Sequence, residues 1–193
     1  MKSEGFDDGF FPAWFKGGRG ATVVAGVELE ENLLTRVGYG RVVVDGRESS
    51  RIIINISKMM AGELVFLDGV TYSGFDVVDP DWIFQETGKP VIVVQHYPLD
   101  LNRIKGALLK HFPDGGERFE VIKRVASSMS YVDTPWKPVQ IYHVGLSFDK
   151  AVEAYKKACI YSPIPEPLRI ADMLASSISK LVHRQRSLFL ITG

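Results

Sequence analysis

The sequence predicts an α/β fold: a mixed sheet, antiparallel over its first three strands and parallel afterwards, with helices on both faces. Three observations carry this. Two β-branched runs, ATVVAGVELE (21–30) and LLTRVGYGRVVVDG (33–46), flank a short polar turn and read as an antiparallel hairpin. Beyond the hairpin, segments with apolar residues at helical spacing alternate with short apolar runs. One of those runs, KPVIVVQ (89–95), is apolar on both faces, as a parallel strand covered on both sides is.

The elements follow in order. The opening MKSEGF is polar for a central first strand, so either that strand is only a few residues long or the natural start lies upstream. KGGRG (16–20) is a structural loop, because it lacks the Gly-Lys-Ser/Thr of a phosphate-binding loop. ESSRIIINISKMM places Ile52, Ile53, Ile56, Met59 and Met60 on one face of a helix, and ELVFLDG (63–69) is a short buried strand. DPDWIFQETG (79–88) is a helix with Pro80 at its start and Gly88 past its end. LDLNRIKGALLKHF (99–112) and ERFEVIKRVASS are helical, and PVQIYHVG (138–145) is a strand. SFDKAVEAYKKAC is a helix capped at Ser147. PEPLRIADMLASSISKLVHRQ is the most regular helix, with a stripe of Ala171, Leu174, Ala175, Ile178, Leu181 and Val182; SLFLIT is a last strand or a docked tail.

A chain of 193 residues fits one domain, expected to span 1–193. At 46% hydrophobic and 24% charged it has an ordinary globular composition. The single cysteine, Cys159, excludes an internal disulfide and a cysteine-based zinc site, which suits a reducing, cytoplasmic setting. No apolar run approaches the ~20 residues of a membrane span, and no signal peptide is expected. Lys plus Arg and Asp plus Glu both number 23, so only local patches could advertise a nucleic-acid partner.

Three apolar runs end on acids. EGFDDG offers Asp7 and Asp8, RVVVDGRE offers Asp45 with Glu48 just into the next helix, and LVFLDG offers Asp68. Strand ends are where α/β sheets bind ligands. Carboxylate oxygens suit Mg²⁺ or Mn²⁺, and two-metal sites gather several of them around ions ~4 Å apart. Asp-Gly is also a common turn dipeptide, so each junction alone reads first as a turn, and it is the three together in one small domain that bring a shared acidic site level with that reading. Whether the three meet in space is not written in the sequence.

The order of these features resembles the RNase H-like nucleases, specifically the endonuclease V superfamily. LSFDKAVEAY (146–155) and TGKPVIVV (87–94) are similar to that superfamily's segments, and PEPLRIADMLA (165–175) is the most specific single match. DDGFF, VDGRESS, LDGVTYSGFDVVD and GKPVIVV resemble, in that order, the archaeal endonuclease dU branch, over nearly the whole chain. The resemblance implies a metal-dependent DNA endonuclease acting on deaminated, uracil-containing DNA in repair. Asp7, Asp45 and Asp68 would ligate Mg²⁺ or Mn²⁺, Glu48 being a rival to Asp45. DNA, or else RNA, would be the partner, with no membrane.

Departures from endonuclease V are equally specific. Its Pro-Tyr-Ile-Pro wedge is replaced by TRVGYGR, where only Tyr39 could stack on a base. Its histidine six residues past the Asp-Gly aspartate is Gly74 here, and the lysine near its parallel strand end is replaced by QHYP, with His96 as stand-in. Tyr72, Phe75 and Trp82 could line a base pocket or simply pack. Arg103 and Lys105 belong to a basic stretch, and Lys180, His183, Arg184 and Arg186 to another; either could grip phosphates or be a solvated face. Asp172 is a further acid on the long helix, unless it pairs with Arg169. His143, His111 and Cys159 read as packing or surface residues. A second reading is a non-catalytic nucleic-acid- or nucleotide-binding module on the same fold.

Overall fold

The structure, a computed structural model, describes residues 1–189, with side chains through residue 183. The hairpin is formed by β2 (Ala21–Glu30) and β3 (Leu33–Val43). Glu31 and Asn32 join them with φ angles of 48° and 74°, the left-handed pair whose twist suits a two-residue hairpin turn. β1 (Lys2–Asp8) pairs antiparallel with β2 and, on its other side, parallel with β4 (Leu64–Asp68). β5 (Thr71–Tyr72) and β6 (Asp76–Val77) form a small separate ribbon. β7 (Val91–Gln95) pairs parallel with β4. β8 (Ser130–Val132) and β9 (Val139–Val144) complete a seven-stranded sheet of order β3-β2-β1-β4-β7-β9-β8.

Parallel pairing stops at β7. The sequence predicts that the strand at 138–145 continues it, but β9 runs antiparallel to β7 and to β8. The crossover from β7 lands on β8, at the sheet edge, and β8 has the direction of β7. The chain then reverses through residues 133–138 and returns between the two. β8 is only three residues long, too short to signal itself by periodicity.

Side-chain alternation along the strands sorts the helices. Phe6, Val24, Val65, Leu67, Val91 and Val93 face α1 (Ser49–Lys58), α2 (Pro80–Thr87), α3 (Leu101–His111) and α4 (Gly115–Ser127). Leu64, Phe66, Ile92, Val94 and Ile141 face α5 (Phe148–Ala158) and α6 (Glu166–Phe189). Two expected stripes are shorter than predicted. Met59 caps α1 and is 69% exposed, and Leu181 and Val182 are exposed near the far end of α6. Of SLFLIT, Ser187–Phe189 prolongs α6, and the rest lies outside the described residues, as do the side chains of Arg184 and Arg186. Among the described residues no helix is long and apolar enough to cross a membrane.

The polar first strand is seven residues long and buried at the sheet centre. Glu4, fully buried, accepts from Lys89 Nζ at 2.6 Å and from Ser57 Oγ at 2.6 Å. Lys89 Nζ also donates to the carbonyls of Ser57 and Met60 at the end of α1, at 2.6 and 3.0 Å. The ammonium therefore satisfies its three donors while joining β1, α1 and the start of β7. Burial still raises the Glu4 pKa, and the bonds from Lys89 and Ser57 oppose that rise. Breaking one side of such a buried pair strands the other charge. Lys89→Met should therefore lower unfolding stability by about 3–5 kcal/mol in urea titrations, and Glu4→Leu with Lys89→Met should recover most of it. A single variant within about 1 kcal/mol of the parent would contradict this role.

Candidate active site

The site begins with how α6 sits on β1. A Cβ added to Gly5 would lie 2.3 Å from the Pro167 carbonyl carbon, and one on Gly9 would lie 2.6 Å from the Ala175 carbonyl oxygen. Ala171, Ala175 and Ser179 are fully buried, so small residues on both elements let helix and strand touch. Asp7 lies between the two glycines and shares their face of the sheet. On β4, Asp68 shares the face of Leu64 and Phe66, one residue past the paired Phe6 and Leu67. Asp7 and Asp68 thus end neighbouring parallel strands at the same level, beneath the helix that carries Asp172.

These acids repel one another. Burial pushes the Asp7 carboxyl up to about 9, Asp68, Asp8 and Asp172 add to the rise, and a 2.7 Å bond from the Asp8 amide opposes it. Asp8 is pushed up to about 7 by burial, then by Asp68 and Asp172, against the Ser73 amide. Asp68 is pushed up to about 6 by burial and by Asp172; its side chain is 39% exposed at the open strand edge, and its rise is the smallest. Among the described residues no lysine or arginine pairs with any of the four. Arg169, the alternative partner of Asp172, binds Glu166 instead at 2.9 and 2.5 Å. Among the described residues Asp172 accepts only from Ser176 Oγ, at 3.2 Å.

His96 follows β7 and puts Nε2 3.9 Å from Asp68 Oδ1. Its side chain is 11% exposed, and neither ring nitrogen has a hydrogen-bond partner among the described residues. Burial, then the charge of Lys137, lowers its pKa. Tyr72 is fully buried, so it lines no base pocket. Its hydroxyl donates to the Phe6 carbonyl at 2.8 Å and accepts from the Asp68 amide at 3.1 Å, tying together the backbones that carry Asp7 and Asp68.

The structure does not bring Asp45 or Glu48 into this group. Asp45 sits at φ 62°, its two carboxylate oxygens accepting from the Gly17 amide at 2.7 Å and the Phe75 amide at 2.8 Å. Glu48 accepts from the Val43 amide at 2.7 Å and closes the same turn. A Cβ on Gly74, whose φ is 93°, would lie 2.3 Å from Asp45 Oδ1, so the histidine position of endonuclease V is closed to any side chain here. Buried Asp76, which the sequence did not single out, accepts from the amides of Glu48 and Ser49 and from Ser49 Oγ, holding the start of α1.

Tyr39 is exposed on β3, on the row Tyr39–Ala25–Asp7, two strands or about 10 Å from the acid. Arg103 and Lys105 lie on α3, which packs on the opposite face; Lys105 Nζ sits 5.5 Å from the Phe119 ring centre, and among the described residues neither pairs with an acid. Asp172 had a signal in the PEPLRIAD segment, and Asp8 in the doubled aspartate.

The donor set fits a hard divalent cation: carboxylate oxygens brought to neighbouring strand ends and the helix above them, with no lysine or arginine paired to them among the described residues. Among the described residues no three His, Cys, Asp or Glu side chains are already grouped as a metal-holding set. An ion would have to draw in the exposed Asp68 and Asp172 side chains.

Relatives agree with this architecture. The sequence profile of the endonuclease dU family matches residues 1–179. A UPF0215 protein of Thermococcus gammatolerans is 38% identical over 178 residues, covering 90% of each chain. A UPF0215 protein of Pyrococcus horikoshii is 33% identical over 184 residues, again 90% of each. Among solved structures, a protein from Archaeoglobus fulgidus superposes with a TM-score of 0.78 at 23% identity, over 92% of this chain and 97% of that one. Ciona intestinalis endonuclease V, in complex with DNA containing an inosine, superposes with a TM-score of 0.62 at 14% identity, over 94% and 87%. The fold is RNase H-like, and the chain belongs to the endonuclease dU family.

Proposed function

We propose that this chain is a divalent-metal-dependent endonuclease that hydrolyses a phosphodiester in DNA carrying a deaminated base, uracil first. The observation that carries the reading is the contrast along β1. Glu4 is fully buried with a lysine on it, whereas Asp7, half-buried on the same strand, is given the Asp8 amide and otherwise only other carboxylates. A carboxylate cluster without a counter-charge at a strand edge is a functional arrangement more readily than a structural one. The family name and the inosine-containing DNA bound to endonuclease V support the substrate class.

Asp7 and Asp68 would hold the ion, with Asp172 and Asp8 completing the oxygen set. Bound there, Mg²⁺ or Mn²⁺ supplies positive charge against the phosphate and lowers the pKa of an attacking water. Tyr72 keeps the two ligand-bearing strand ends in register. His96, whose pKa burial and Lys137 lower, stands beside Asp68 as the nearest candidate proton acceptor. The second reading, a binding module without cleavage, is favoured by the open arrangement of the acids and by Gly74.

Nicking of a uracil-containing strand with Mg²⁺ or Mn²⁺ tests the first reading. Asp68→Asn should lose at least about a hundredfold in rate. Asp172→Asn should lose more than Asp45→Asn; the reverse order would return the ligand role to Asp45.

Metal-free stability provides a separate check. The Asp7 carboxyl has its folded pKa raised to about 9, against about 4 unfolded. Its contribution to stability is complete below pH ~4 and is lost as pH rises toward 9. In chelator, Asp7→Asn should therefore raise the melting temperature by a few degrees, increasingly from pH ~4 to ~9. Mn²⁺ should raise the melting temperature of the parent and not of the variant.

A further inference from the structure

A lysine outside the expected site stands beside it. Lys137, in the β8–β9 turn, donates to the His96 carbonyl at 3.3 Å, and its ammonium lies 4.2 Å from the Tyr97 ring centre. Among the described residues it has no carboxylate partner, unlike Lys89, which is held by Glu4. The turn that presents it is pinned. Thr134 Oγ1 accepts from the amides of Trp136 and Lys137, at 3.2 and 3.1 Å, and donates to the Lys137 carbonyl at 2.6 Å. The Tyr97 ring is 72% exposed even with Lys137 over it. Next to both, buried His96 has no hydrogen-bond partner for either ring nitrogen among the described residues, and its Nε2 lies 3.9 Å from Asp68 Oδ1.

A pre-positioned ammonium without a carboxylate partner and an open aromatic ring beside it match two things a nucleotide has: a phosphate to pair and a base to stack. We infer that Lys137 and Tyr97 form the substrate-gripping element of the site, Lys137 pairing with a backbone phosphate next to Asp68 and Tyr97 stacking on an unpaired base. The substrate class is therefore nucleic acid whose base at or beside the cut is out of the duplex stack, because a stacked, paired base has no free face for Tyr97. This rests on the nuclease reading for what happens after binding, but not for binding itself.

The probe is a short fluorescein-labelled, deoxyuridine-containing single strand, followed by anisotropy in Ca²⁺ across a salt series, beside the same strand in a duplex. Lys137→Gln should weaken binding and lower the salt slope by about 0.7, and Lys137→Arg should restore both. Tyr97→Ala should weaken binding roughly tenfold with the salt slope unchanged, and Tyr97→Phe should bind like the parent. Circular dichroism and melting confirm that each variant folds. If the parent does not bind, if it prefers the duplex, or if Lys137→Gln keeps both affinity and slope, the inference falls. Parent protein that nicks while Lys137→Gln and Tyr97→Ala bind and nick equally well overturns the inference and leaves the nuclease reading standing. Parent protein that shows these binding signatures and never nicks keeps the inference and ends the nuclease reading.

Discussion

Everything at this site depends on α6 touching β1. Side chains at positions 5 and 9 would hold the helix away from the strand, since a single added carbon at either would sit well inside contact distance of helix backbone. With glycine there and Ala171, Ala175 and Ser179 opposite, the helix lies on the strand and carries Asp172 to where it raises the pKa of Asp7, Asp8 and Asp68. The close approach also explains why the strand has so few apolar side chains. The face toward α6 is filled by helix backbone rather than by large residues.

β1 treats buried Glu4 and half-buried Asp7 in opposite ways. Glu4 is matched by Lys89 and Ser57, and its network joins the centre of the sheet to the end of α1. Asp7, three residues on, is given the Asp8 amide and otherwise only other carboxylates. A buried charge without compensation opposes folding. The fold accommodates it at the strand end, where Tyr72 fixes the backbone on both sides and Asp68 opens to solvent. The anchored and the uncompensated acid are thus separated along one strand, so the first can stabilise the sheet while the second is left without a counter-charge.

Asp45 and Asp172 show where reading acids from sequence succeeds and fails. Asp45, Asp68 and Asp7 each end an apolar run and look equivalent. Asp45 adopts a left-handed conformation and spends both carboxylate oxygens on the Gly17 and Phe75 amides. Asp172 sits mid-helix beside an arginine and looks paired, but Arg169 turns to Glu166, one helical turn back, leaving Asp172 toward the strand ends. Local spacing cannot choose between two carboxylates within reach of one guanidinium. The direction of β9 was hidden for a related reason: its apolar pattern is compatible with either direction, and the short β8 that reverses the chain leaves almost no trace in periodicity.

The sequence by itself determined the order of the main elements, the hairpin and the helix boundaries at Pro80 and Gly88, because these rest on local backbone preference and on apolar runs that must be buried. Only the tertiary structure decided that Asp7 and Asp68 are neighbours, that Asp172 rather than Asp45 stands by them, that Tyr72 is a clamp rather than a pocket wall, and that Lys137 reaches His96 and Tyr97 from a distant turn. Those outcomes depend on which strands become neighbours and how closely one helix may approach. Contact between residues far apart in the chain sets both, and no local pattern encodes such contact.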